Sequence, residues 1–412
     1  MFKALLLSFG ICLIFFSANA QNTYSISGIV RDQKETLPGA AVYLSGYKIS
    51  TVTNNDGRFT LPNLKPGSYD VLVQMIGYLP FSKSIIISDK SVQADFLIKE
   101  STTSLNEVVI RVDPNRQKYI NQFTEYFIGK SPNAALCKIL NPQVLRVDFD
   151  ITTSTLSVKT EEFLIVENKA LGYRLKYMLE FFEFNSRTNI IYYSGKPFFE
   201  DLKASANKKK KYVEMREVAY HGSAQHFFKS LYKGNVNDEG FLLVKMEKLP
   251  NPYRLNEAII NENITKLRTL PERTGIRKNV GVVDTAQLAF WNKQKDMPKF
   301  IEKINRAEIL VDTLLHYYNK DLKYLNYDHA LCIIYTKERE TLEYDRSGSW
   351  IRRPLNIPNY QISLARLTDG PIRFYENGGI LDARSLLYDG FWAYEKVADM
   401  VPRDYIPSTK NN

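Results

Sequence analysis

"VTNNDGRFTLPNLKPGSYDVLVQMIGY", Val52 to Tyr78, carries two turn signals and two strand signals in one short stretch. Asp56-Gly57 marks a tight hairpin, because glycine accepts the positive φ such turns require. Pro66-Gly67 predicts a type II turn: proline fixes φ at one corner and glycine admits φ > 0 at the next. Between them "RFTL" sets Phe59 and Leu61 on one face. After them "SYDVLVQM" sets Tyr69, Val71, Val73 and Met75 on one face, the period-two pattern of a half-buried strand.

Working outward, "YSISGIV" alternates with Tyr24, Ile26 and Val30 on one side, and "AAVYLSG" follows a Leu37-Pro38-Gly39 turn with Val42 and Leu44 inward. "SIIIS" and "VQADFLI" complete the set. About seven short strands with turn chemistry every eight to twelve residues predict a Greek-key β-sandwich. The run from Ser27 to Tyr78, with Leu-Pro-Gly, Asp-Gly, Pro-Gly and Ile-Gly-Tyr in order, resembles the carboxypeptidase regulatory-like domain, a transthyretin-like sandwich. It is most similar to the version that opens TonB-dependent outer-membrane receptors importing glycans, down to "LNEVVI" at Leu105 to Ile110. The resemblance implies a non-catalytic mount.

The resemblance covers residues 22 to about 110, and the roughly 300 that follow are too few for a plug and a barrel of about 22 strands. A metallocarboxypeptidase is excluded as well. Its His-x-x-Glu zinc motif fails at His221, His226, His316 and His329, whose third neighbours are Ala224, Lys229, Asn319 and Cys332.

Residues 1–20, "MFKALLLSFGICLIFFSANA", read as a signal peptide: Lys3, an apolar run from Ala4 to Phe16, then the small-residue site Ala18-Asn19-Ala20. Cleavage is expected before Gln21, which makes this an exported protein of the periplasm or the outer-membrane surface. No later stretch is long and apolar enough for a transmembrane helix. The expected division is a signal peptide at 1–20, a sandwich at 21–104, a linker at 105–116 and an α+β domain at 117–407. The fold class is mostly β, α+β overall.

The 412 residues are 44% apolar and 24% charged, an ordinary globular composition. Of the net +10, Lys3 holds one unit, and residues 21–105 hold eight Lys/Arg against seven Asp/Glu, so about +8 belongs to the larger part. The cluster Lys208-Lys209-Lys210-Lys211 reads as a solvated loop or helix start. Nucleic acid is excluded as a partner outside the cytoplasm, whereas an envelope protein, a glycan or an anionic surface fits. Beyond the leader only Cys137 and Cys332 remain, in the apolar settings "ALCKIL" and "ALCIIY". An oxidising compartment would allow them to pair; the sequence alone leaves that open.

In the larger part "NRQKYINQFTEYFIG" places Ile120, Phe123, Phe127 and Ile128 on one helical face, and "NAALCKIL" reads as a second short helix. Strands follow: "VLRVDFDI", "TLSVKT", "FLIVEN", and "YRLKYMLEFFEF" with Tyr173, Leu175, Tyr177, Leu179 and Phe181 on one side. Residues 208–232 predict helix, "FLLVKME" a strand, and "NEAIINENITKLRTL" a helix or irregular arm. "EILVDTLLHYY", "HALCIIYTK", "QISLARL" and "PIRFYENGGIL" read as strands, and "GFWAYEKVADMV" as a closing helix. The phrases "ENKALGY", "HGSAQHFFKSL" and "DGFWAYEKVADMVPRDY" resemble the body of a group of uncharacterised exported proteins that carry the same sandwich in front. That resemblance implies an architecture without a mechanism.

Chemistry is sparse. His221, Ser223 and His226 fall within six residues, but Ser223 lies outside any Gly-x-Ser-x-Gly elbow. His221 and His226 at spacing five lie about 140° apart on a helix, whereas zinc pairs at spacing four share a face. A helix cap at Gly222-Ser223 with one packed histidine is the expected reading. Were the larger domain a periplasmic hydrolase of glycan or peptide, these three would be its catalytic candidates; the remaining reading is a purely structural envelope protein. No metal or cofactor motif is present. Glu107, Val108, Val109 and Ile110 form a strand-like segment that either completes a sheet of its own chain or adds to a partner's sheet edge. Aromatic residues make up 13% of the chain, and exposed ones are candidates for stacking on sugar rings.

Overall fold

The computed structural model describes residues 23–101, 114–269, 285–319, 321–328, 330–348, 351, 353 and 357–408. Its N-terminal part is a sandwich of eight short strands: β1 (Tyr24–Arg31), β2 (Ala41–Leu44), β3 (Ser50–Val52), β4 (Arg58–Leu64), β5 (Gly67–Gln74), β6 (Phe81–Ile87), β7 (Val92–Gln93) and β8 (Phe96–Leu97). One sheet runs β4-β1-β7 with β8 also on β1, and the other runs β3-β2-β5-β6. Ile26, Val30, Val42, Leu61, Val71 and Val73 fill the space between them. "VQADFLI", expected as one strand, is split because the Asp95 carboxylate replaces a backbone carbonyl and accepts the Ile29 N–H at 3.0 Å. A turn forms at Asp56-Gly57, but it is not the expected hairpin: β3 pairs with β2 and β4 with β1, so the turn carries the chain from one sheet to the other. Gly57 has φ +71, and the Asn54 side chain accepts the N–H groups of Asp56 and Arg58.

The larger part starts with α1 (Arg116–Ile128), followed by β9 (Cys137–Ile139), β10 (Arg146–Asp150), β11 (Thr155–Lys159), β12 (Leu164–Asn168), β13 (Tyr173–Asn185) and β14 (Ile190–Asp201). These strands form one antiparallel sheet in the order β10-β11-β13-β12-β9, with β14 along β13. Phe123 and Phe127 of α1 lie on one face of the sheet, against Phe182 and Tyr177. "NAALCKIL" is not a helix: one 3-10 turn at Ala134–Leu136 leads straight into β9, which pairs with β12. The alternation read into β13 holds only as far as Leu179. A bulge between Leu179 and Phe181 shifts the phase, so Phe182 and Phe184 take the inward face and Phe181 turns out under the Arg384 guanidinium, 4.3 Å away.

Helices α2 (Ala206–Tyr220) and α3 (Ala224–Lys233) follow, then β15 (Phe241–Pro250), α4 (Glu257–Thr269), α5 (Thr285–Asp296) and β16 (Phe300–Glu308). Strands β17 (Leu315–Tyr317), β18 (Leu322–Leu325) and β19 (Ala330–Arg339) come next, then α6 (Leu342–Arg346), β20 (Tyr360–Leu367), β21 (Ile372–Tyr375), β22 (Leu386–Gly390) and α7 (Phe391–Tyr394). They build a second sheet, β16-β15-β19-β20-β22, and a small one, β17-β18-β21. Phe227, Phe228 and Leu231 of α3 pack between the two, with Trp392. "EILVDTLLHYY" is broken after Glu308 by a 3-10 turn at Val311–Thr313. "GFWAYEKVADMV" is α-helical only over Phe391–Tyr394; the chain then extends through Glu395 and Lys396 into a 3-10 turn at Val397–Asp399, where Val397 and Ala398 enter the core of the first sheet. Cys137 packs against that core while Cys332 is buried in a separate cluster, and both are free thiols.

The sandwich is docked on the larger part. Tyr43 and Leu72, cross-strand partners on its outer face, bury against Phe163, Ile165 and Met178 on the back of the first large sheet. At the β2–β3 turn Gly46 donates its N–H to Pro197 O at 2.5 Å and accepts the Arg403 N–H at 2.7 Å. The Phe199 N–H donates to Tyr47 O, the Asn377 amide donates to the Tyr47 hydroxyl, and Lys48 pairs with Asp201. The strand alternation foretold the inner face of β5 but gave no sign that Leu72, on its outer face, would be only 2% exposed.

Candidate functional site

The sequence candidates His221, Ser223 and His226 lie at the junction of α2 and α3. Gly222 adopts φ +77 there, and a side chain would collide with Gln361 and Tyr335. Ser223 caps α3: its hydroxyl accepts the His226 N–H at 3.2 Å and donates to Tyr220 O at 2.7 Å. His226 is buried among Tyr220, Phe241 and Tyr335. Its Nδ1 accepts the Gly222 N–H at 3.2 Å, which places the ring proton on Nε2, facing Glu239 Oε2 at 3.2 Å. Burial lowers the His226 pKa to about 4 against the opposing pull of Glu239, so the ring is neutral at pH 7. His221 meets His226 edge to face, with centroids 5.2 Å apart. The three candidates are therefore neighbours, yet the Ser223 hydroxyl and the His226 ring serve the turn and do not bond each other. Glu107, Val108, Val109 and Ile110, like residues 1–20, lie outside the described residues.

Beside this junction lies a cavity of about 390 Å³, which no sequence signal marked. Its wall comes from β14, the start of α3, the Asn377–Ile380 loop, β22, α7 and the tail from Glu395 to Arg403. Tyr193, Phe228, Tyr388 and Trp392 supply apolar and aromatic surface, and Glu395, Lys396, Asp399 and Arg403 supply charge. Asp399 is anchored, accepting from the Ser131 hydroxyl at 3.0 Å and the Asn133 amide at 2.9 Å; burial raises its pKa against those bonds. Burial, then Asp399 and Glu338, push the Glu395 carboxyl well above the usual range. Burial alone brings Lys396 down to about 8 and takes the Tyr193 phenol up to about 12, with a further push from Asp399 on the phenol. Ser223 also borders this space, but its hydroxyl proton is committed to Tyr220 O. Among the described residues no group of three or more His, Cys, Asp or Glu is placed to hold a metal ion.

A second feature is the solvent face of the small sheet. His316 of β17 stands opposite Tyr324 of β18, their rings 5.0 Å apart and inclined by 32°. Arg373 of β21, opposite Tyr324, lies 5.7 Å from the ring of Tyr318, which is 59% exposed. The result is a ledge of aromatic rings with a guanidinium at its side.

Comparison with known proteins agrees with the sandwich topology. Residues 26–110 match the family model of the CarboxypepD_reg-like domain. The N-terminal sandwich is a CarboxypepD_reg-like domain. No curated protein matches the chain. Among solved structures, a mutant type II cohesin–X-dockerin complex from Acetivibrio cellulolyticus is similar over 19% of this chain and 58% of its own, at 19% identity and a TM-score of 0.18. A carbohydrate-binding protein of Bacteroides uniformis, so described provisionally, is similar over 37% of this chain and 57% of its own, at 13% identity and 0.17. A DUF3823 family protein of Parabacteroides merdae is similar over 43% of this chain and 80% of its own, at 11% identity and 0.16. At such scores these likenesses carry no functional argument. Among the described residues no helix is long and apolar enough to cross a membrane.

Proposed function

We propose that this chain is an exported, non-catalytic protein of the cell envelope, in which the CarboxypepD_reg-like domain is a mount and the larger part binds a glycan. The observation that carries the reading is the ledge of His316, Tyr318 and Tyr324 on the small sheet. The exposed Tyr318 ring offers a flat apolar face on which the C–H face of a sugar ring stacks, and Arg373 beside it adds a donor for ring hydroxyls or acidic substituents. The commitment of Ser223 and His226 to the α2–α3 turn supports binding over hydrolysis.

The test is affinity electrophoresis of the purified protein through gels holding soluble glucans, galactans or peptidoglycan fragments. Retardation by at least one glycan, weakened about tenfold in Tyr318→Ala and Tyr324→Ala, is the expected result. Absence of retardation in every gel would overturn it, as would turnover of a glycan or peptide that disappears in His221→Ala. Mass analysis of protein recovered from envelopes checks the leader: a chain starting near Gln21 is expected, and one starting at Met1 would refute export with cleavage.

A further inference from the structure

Past Lys245 the strand β15 leaves the second large sheet: its pairing with β19 ends there, and from Met246 to Pro250 its ladder partner is β16 alone. The two strands run on as a ribbon that carries α4 and α5. The start of α4 meets the end of α5, so the helices are antiparallel: Arg254 Nε donates to Met297 O at 2.9 Å, and Gln294 Oε1 accepts the Leu255 N–H at 2.9 Å. Ile260 and Ile264 are buried yet belong to none of the core clusters, and they mark the side of α4 that faces α5. On α5 the seam is Leu288 and Trp291, half-buried, and Gln294, buried, spaced by three.

Ile259 immediately precedes the seam residue Ile260, and Phe290 immediately precedes Trp291. Each step along a helix turns by about 100°. Because the two helices point opposite ways, one step back from the seam turns to the same side of the hairpin on both. Gln294 lies beside Leu255, so four residues on from one and four back from the other bring Ile259 and Phe290 to the same height. They are 47% and 48% exposed, an apolar pair on one flank. One step forward from the seam lie Asn261 and Asn292, which makes the other flank polar. Lys266, seven residues after Ile259, and Lys293, three after Phe290, share the apolar flank. Tyr253, Leu255 and Phe300 at the foot of the arm are exposed as well.

Charge decides what covers this flank. Among the described residues from Lys245 to Lys303, nine Lys and Arg stand against five Asp and Glu. Glu257 is held by Arg254 and Lys299, Glu262 on the apolar flank by Lys266, and Glu302 by Arg366. Lys293 makes no ion pair among the described residues. A second copy of the arm would bring like charge to like. An anionic bilayer answers both features, with an apolar interior for the exposed side chains and phosphates for the cations. It also takes up the flank of a projecting hairpin without a groove shaped to match. We propose that the α4–α5 arm is a membrane-contact element, which lays its Ile259–Phe290 flank on an anionic phospholipid surface with Lys266 and Lys293 at the level of the headgroups. This rests on the envelope location proposed above, which the mass analysis of the leader tests separately, and it is independent of the aromatic ledge.

Co-sedimentation of the purified full-length protein with vesicles tests it, using phosphatidylcholine alone and phosphatidylcholine mixed with phosphatidylglycerol. Binding to the mixed vesicles is expected to be at least about tenfold tighter than to the neutral ones and to weaken as salt is added. Phe290→Ser and Lys293→Glu should each weaken it about fivefold or more, whereas Asn261→Ser, on the polar flank, should leave it unchanged. No binding to the mixed vesicles, equal binding to both kinds, or full binding by Phe290→Ser would overturn the proposal. A lipid-free dimer in sedimentation velocity that Phe290→Ser abolishes would overturn it in favour of a second copy. The two lipid mixtures and the salt series give their answer on the unmutated chain, whatever the variants do to folding. Tyr318→Ala should bind vesicles as the wild type does, which separates a failure here from a failure of the glycan reading.

Discussion

Replacing His226 by glutamine isolates what this histidine does for the fold. In the native chain the ring is neutral: Nδ1 is filled by the Gly222 N–H and Nε2 faces Glu239, while Lys337 adds positive charge nearby. Its pKa falls from 6.5 to about 4, with burial as the leading cause. The folded value lies below the unfolded one, so above pH 6.5 both states are neutral and the native state keeps its full stability. As pH falls from 6.5 towards 4 the unfolded chain takes up a proton that the folded chain refuses, and stability is lost. By pH 4.5 the loss amounts to about 2.5 kcal/mol, at 1.36 kcal/mol per pKa unit with allowance for partial protonation at each end. Glutamine fills a similar volume and carries no titrating proton. The assay is urea unfolding followed by tryptophan fluorescence at pH 7 and pH 4.5 for both proteins. His226→Gln should be less stable at pH 7, by about 1 to 3 kcal/mol for lost packing and hydrogen bonding, yet should lose about 2.5 kcal/mol less than wild type on acidification. Carboxyls with raised pKa values, such as Glu338 and Glu395, respond alike in both proteins and cancel. Equal acid sensitivity in the two would refute a buried, neutral His226.

The docking of the sandwich is tested by Leu72→Ala, which removes a side chain packed on Phe163 and Met178 and should destabilise by about 2 to 4 kcal/mol. Amide exchange should speed up at Gly46 and Phe199 and stay unchanged along the β1–β4 ladder; uniform change would refute a separable seam. Gly172→Ala combines φ +70 with a methyl driven into the Tyr212 ring and should lower stability by more than about 1 kcal/mol, read as a drop in Tm.

The sandwich was legible because its turn chemistry is local: around Asp56-Gly57 the Asn54 side chain accepts from Asp56 and Arg58, all within a few positions. The α2–α3 pair was legible too, since the cap Ser223 and the apolar spacing of Phe227, Phe228 and Leu231 lie within one short stretch. The cavity was not. Its wall draws on Tyr193, Phe228, Tyr388 and Glu395, which no local pattern connects, and Glu395 sat in a stretch with helical periodicity. Tertiary packing overrode that periodicity. Val397 and Ala398 go into the first sheet's core, and the Ala398 carbonyl accepts from Asn168, a side chain with 0% exposure. The phase slip in β13 escaped for a related reason, because a bulge depends on the partner strand and leaves no mark in a run of alternating aromatics.

The β2–β3 turn also bears on the order in which the molecule assembles. Gly46 and Tyr47 bond to Pro197, Phe199, Asn377 and Arg403, so a turn made early is completed only when a segment more than three hundred positions later is in place. N-terminal units form first as a chain emerges, and here the early unit would carry Tyr43 and Leu72 uncovered until the rest arrives. That interval exposes an apolar strip on a ready-made sheet, the kind of surface that aggregation exploits. Arg403, whose backbone closes the turn while its side chain borders the cavity, makes sealing of that strip and completion of the pocket one event.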